Sequence, residues 1–188
     1  MRMLTLVFAI LVSTGSPGFP ATGDQAADTA APSWFVPPAE LLGCKAVRLP
    51  DADANGIMQR YVCGDAWADV FIYDPARLGL TVAPGESTVE AEFRVFLDTA
   101  PSLVEQGLYD SLAFDDLRPL CVAVPGGEVQ GGLLQGTGVH RGQVRFTAMA
   151  IFAVKGQHLK LRVSGTRSWM FDPFRFSDAL LRGAIDWR

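Results

Sequence analysis

Two apolar stretches late in the chain, residues 143–154 and 157–163, are separated by Lys155-Gly156 alone. A two-residue connection between such stretches is a hairpin turn. Closing it sets the register: Phe152 comes opposite Leu159, Ala150 opposite Leu161, and Ala148 opposite Val163. Side chains alternate along a strand, so one face of this ribbon is wholly apolar and has to be covered. The other face carries His158, Lys160 and Arg162 beside Met149, Ile151 and Ala153. A chain holding this ribbon is obliged to build a sheet with a core on at least one side.

The rest of the chain supplies strands to pair with it. Residues 45–49 and 57–63 flank Pro50-Asp51-Ala52-Asp53-Ala54-Asn55-Gly56, whose Asx residues and glycine make a turn. A hairpin centred there brings Cys44 opposite Cys63, the disulfide we favour, with Cys121 as a rival partner. Gly64-Asp65 suits the next two-residue turn. Residues 66–73 are apolar on both alternations, which predicts a central strand covered on both faces. Residues 108–114, 118–124 and 128–139 are further strand candidates, with turns at Asp115-Asp116 and Pro125-Gly126-Gly127.

Ser87 opens the clearest helix. Ser87 and Glu90 have the spacing of a capping box, and Val89, Phe93, Phe96, Leu97 and Ala100 form one apolar stripe. Pro101 is read as starting a second helical segment, which Gly107 ends. A last helix is expected from about Ser177, with Phe176, Leu180, Leu181, Ala184 and Ile185 along one side. The expectation is one α+β domain over residues 39–188. An antiparallel sheet of about seven strands packs one face on the Ser87 helix, and the C-terminal helix closes an edge or the second face.

The start of the chain speaks to location. Arg2, the apolar run 4–12 and the small residues of Ala21-Thr22-Gly23 have the layout of a secretory signal peptide over residues 1–23. A membrane span needs about 20 apolar residues, so the processed protein is not expected to cross a membrane. The mature chain then begins near Asp24, in the periplasm or secreted. Residues 24–38 read as a flexible leader, with Trp34-Phe35 marking where it first lies against the fold. An oxidising compartment favours one disulfide and one leftover thiol. Cys121, between Leu120 and Val122, reads as a core residue of an apolar strand. The formal net charge is −4. This balance argues against a nucleic-acid partner, which needs a basic face.

Few residues carry recognisable chemistry. Asp51, Asp53 and Asn55 before Gly56 match the first half of a calcium loop, but Val62 stands where a bidentate glutamate belongs; the plainer reading is a solvated turn. His158, Lys160 and Arg162, with Arg145 on the partner strand, form a basic stripe for a small anionic ligand or an acidic protein partner. The alternative is the solvated side of a two-faced sheet. Asp110, Asp115 and Asp116 cluster near a turn, and His140 sits in another. No serine lies in a nucleophile-elbow context. The aromatic run 169–176 either lines a groove or pins the last helix.

The segment Ala68-Asp69-Val70-Phe71-Ile72-Tyr73 and the 152–162 hairpin, in this order around one helix, resemble small exported bacterial proteins and the PsbP-like sandwich, a sheet with helices on its faces. That resemblance implies a binding or assembly role and transfers no functional residue. The expected function is therefore a non-catalytic binding or assembly module without a cofactor, calcium aside. The alternative is a hydrolase or other enzyme, with His140, His158, Asp110 and Asp115 as first suspects.

Overall fold

The computed structural model describes residues 32–47, 58–166 and 172–187. The residues read as a signal peptide, most of those read as a leader, the calcium-like turn with Asp51, Asp53 and Asn55, and the start of the 169–176 aromatic run lie outside the described residues.

Among the described residues, nine antiparallel strands form one sheet: β1 (Glu40–Leu41), β2 (Cys44–Val47), β3 (Gln59–Cys63), β4 (Ala66–Tyr73), β5 (Ser111–Phe114), β6 (Arg118–Val124), β7 (Gly127–His140), β8 (Gln143–Val154) and β9 (Gln157–Gly165). The order is β1-β2-β3-β4-β9-β8-β7-β5, and β6 also pairs with β7. The β8–β9 hairpin has the register its sequence implies, Phe152 facing Leu159, Ala150 facing Leu161 and Ala148 facing Val163. Its tight turn holds Lys155 and Gly156 at positive φ, the backbone shape that matches strand twist. β4 is the central strand expected, between β3 and β9.

The sheet is covered on both sides. Its back face carries Ala68, Val70, Phe152, Leu159 and Leu161, which pack in one core with Phe176, Leu180 and Leu181 of α2 (Pro173–Gly183). The C-terminal helix thus closes the second face. It begins at Pro173 rather than near Ser177, because Asp172 caps the backbone N–H groups of Phe174 and Arg175. Phe35 belongs to the same core and bridges to Ile185, so this end of the segment expected to be a leader is built into the fold. The front face carries Leu134, Met149 and Ile151, which pack with Val89 and Phe93 of α1 (Thr88–Glu105). At Gly132 an added Cβ would lie 2.8 Å from the Phe93 ring, so the missing side chain lets α1 sit close.

The Ser87–Glu90 capping box is formed in both directions. α1 is continuous through Pro101, not two segments. Pro101 is exposed and has no N–H to donate to the helix. Leu97, counted in the apolar stripe, is also exposed. Cys44 and Cys63 form the disulfide. Cys121 is free and exposed on β6, which corrects its reading as a core residue. The β6 side chains that reach the core are Leu120, Val122 and Val124, and Cys121 alternates with them.

Candidate functional site

The front face holds two charged groupings at opposite ends of β4 and β9. One lies where Tyr73 pairs with His158, the other where Trp67 pairs with Ser164.

At the Tyr73 end, α1 contributes Thr88 and Glu92, four residues apart and therefore on one side of the helix. Tyr73 Oη donates to Glu92 Oε1 at 2.5 Å, and Lys160 Nζ donates to the same oxygen at 3.1 Å. His158 Nδ1 lies 2.8 Å from Glu92 Oε2, and Thr88 Oγ1 lies 2.9 Å from His158 Nε2. An ionised carboxylate only accepts, so Nδ1 carries the proton; in the neutral ring Nε2 then accepts from the Thr88 hydroxyl. Glu92 and His158 are each 1% exposed and Lys160 8%. The Lys160 ammonium also lies 5.9 Å from the Phe71 ring centre and 5.7 Å from that of Tyr73.

Burial pushes the Glu92 carboxyl up, but the His158 hydrogen bond, the Lys160 charge and the Tyr73 hydroxyl outweigh it and hold it below its usual value. Burial lowers the Lys160 ammonium against the pull of Glu92. Tyr73 is raised, by burial first and then by the Glu92 charge. The grouping keeps one carboxylate ionised by surrounding it with donors.

Chemically, this arrangement can do two things. As structure, it fastens the first turns of α1 to β4 and β9, since a buried carboxylate stripped of its partners costs several kcal/mol. As chemistry, the sequence hydroxyl, imidazole, carboxylate is that of a catalytic triad. Thr88 is exposed, while the imidazole behind it is sealed. Two surface grooves, one lined by Glu86, Glu90 and Arg94 and the other by Arg118, Gln135 and Phe174, do not include His158.

At the Trp67 end the balance differs. Arg60 donates to both oxygens of Asp69, Nε to Oδ1 at 2.5 Å and Nη2 to Oδ2 at 2.6 Å. The guanidinium carbons of Arg60 and Arg145 lie 5.8 and 5.6 Å from the Trp67 ring centre, within cation–π range. Arg162 is the cross-strand neighbour of Asp69. Arg145 Nε is buried with no hydrogen-bond partner among the described residues. Asp69 is buried, whereas Arg60, Trp67, Arg145 and Arg162 are half-buried.

The basic stripe is therefore divided. His158 and Lys160 are not a surface, because Glu92 compensates them and α1 covers them; Arg162 is half-buried opposite Asp69. His140 Nδ1 lies 2.9 Å from the Leu108 carbonyl, and Asp110 accepts from the Gly142 N–H, so both serve the loop ends near β5 and β7. Asp115 and Asp116 are exposed. Sequence reasoning does not single out Thr88, Tyr73, Glu92, Arg60, Trp67 or Asp69. Their one signal is position: Glu92 sits inside the apolar arc of α1, and Trp67, Asp69 and Tyr73 share the β4 alternation. No protein-family model matches the chain, and no curated protein matches it.

Proposed function

We propose that this is an exported, non-catalytic binding or assembly protein that receives a small anionic ligand or an acidic partner on the front face of its sheet. The observation that carries the reading is the contrast between the two groupings. The acid–base one is neutralised and sealed beneath α1, and the arginine one is half-open with positive charge in excess. The Cys44–Cys63 disulfide supports an oxidising compartment. No helix among the described residues is long and apolar enough to cross a membrane. The resemblance to the PsbP-like sandwich points the same way, toward binding or assembly.

The test is native mass spectrometry of the protein expressed with its own leader and recovered from the periplasm. The reading expects a chain starting near Asp24, lighter by the two hydrogens of one disulfide, and carrying a bound ligand or partner. An unprocessed, reduced and unliganded chain contradicts it.

The Thr88–His158–Glu92 hydrogen-bond chain favours a second reading, a hydrolase with Thr88 as nucleophile and His158 as base. A fluorophosphonate probe decides it. Covalent labelling at Thr88, lost in His158→Ala, establishes that reading, and an unlabelled folded protein removes it.

A further inference from the structure

The geometry points to an oxyanion-binding site at the Trp67 end of the front face, with Arg145 as principal donor and Arg60 and Arg162 supplying charge. This inference rests on the protein being a binding module and names the chemistry of what it binds: a small molecule bearing a carboxylate or phosphate group.

Charge is the first ground. Arg60, Arg145 and Arg162 stand on this part of the sheet face against one carboxylate, Asp69. Both Asp69 oxygens are engaged by Arg60. Arg145 and Arg162 form no ion pair among the described residues. Arg162 is close enough to Lys160 for its charge to oppose that ammonium.

Hydrogen bonding is the second. A buried donor on a charged group is costly to leave unpaired. Arg145 Nε is such a donor. The guanidinium fork matches carboxylate and phosphate oxygens two at a time, which makes an oxyanion the partner of fitting shape and sign. The flank of Trp67 holds the Arg60 and Arg145 planes beside its ring. All of these residues stand on strands of the sheet, a rigid support for a site. The chain as a whole is acidic, so the excess positive charge here is local.

The experiment follows the Trp67 indole N–H resonance of the full disulfide-bonded protein, assigned with Trp67→Phe. Inorganic phosphate and succinate are titrated separately, each against sodium chloride of equal ionic strength. The site predicts a saturable shift with at least one probe beyond the chloride control. Arg145→Gln should weaken it at least tenfold, and Arg162→Gln several-fold. Saturation by phosphate alone assigns a phosphoryl ligand, and saturation by succinate alone assigns a carboxylate ligand. Arg145→Lys serves where Arg145→Gln does not fold; it keeps the charge, removes Nε and should also weaken binding. No saturable shift with either probe, or equal affinity in wild type and the Arg145 variant, overturns the site. A partner retained in native mass spectrometry despite that result leaves the binding-module reading standing and removes only this location.

Discussion

Two charged groupings share one face of one sheet, and they obey opposite rules. Beneath α1, every donor has a use: Tyr73, His158 and Lys160 converge on the two oxygens of Glu92, and Thr88 completes the His158 ring. At the Trp67 end, among the described residues, Asp69 is satisfied by Arg60 alone, and Arg145 keeps a buried N–H without a partner. The first is what a fold does when it must bury charge. The second fits the proposed binding site, since functional sites are where local rules are broken. Residues that look equivalent in sequence, Lys160 and Arg162 two apart on β9, fall on opposite sides of that divide.

Substitutions sharpen the contrast. Glu92→Ala leaves Lys160 and His158 buried without their carboxylate and should cost about 3–5 kcal/mol, read as a lowered urea midpoint. The same residue sets an acid dependence. Its folded pKa lies below the ordinary value, so ionised Glu92 contributes stability that is full above its unfolded pKa of about 4.3 and is lost as pH falls through the lower folded value. The stability difference between wild type and Glu92→Gln should therefore shrink in acid; a gap that widens there breaks the account. Asp69→Asn weakens the paired contact to Arg60 and leaves three arginines without a carboxylate, at a cost of about 2 kcal/mol. Thr88→Val removes one hydrogen bond at the edge of the sealed grouping and should cost about 1 kcal/mol. Smallest of all, Arg145→Gln with Arg162→Gln should change stability by about 1 kcal/mol or less, because neither arginine forms an ion pair among the described residues and Arg145 gives up its contact with the Trp67 ring.

Much of the scaffold is legible in the order of residues alone. Two-residue turns at Gly64-Asp65 and Lys155-Gly156 leave one register each, so those strand pairings follow from counting, whereas the Cys44–Cys63 disulfide follows from centring a hairpin on residues 50–56, with Cys121 left as a rival. The site is less legible. That His158, Lys160 and Arg162 share a face follows from alternation, but which of them is buried depends on where a distant helix lies. The decisive residue, Glu92, is a polar side chain beside Phe93 within an apolar arc, and periodicity alone gives it no partner. Cys121 departs from expectation for a related reason. On β6 its neighbours Leu120 and Val122 point to the back core while it points the other way, out to solvent. The Asp172-Pro173 start of α2 is an ordinary cap followed by proline at the first helical position, a signal that the aromatic run around it obscures.

The most direct test sets the two groupings side by side. Urea unfolding at pH 7 is compared for wild type, Glu92→Gln and the Arg145→Gln, Arg162→Gln double variant. The account predicts a loss of about 3 kcal/mol or more for Glu92→Gln and none above about 1 kcal/mol for the double variant. Equal losses, or the larger loss in the arginine variant, would contradict the division of this face into a structural half and a binding half.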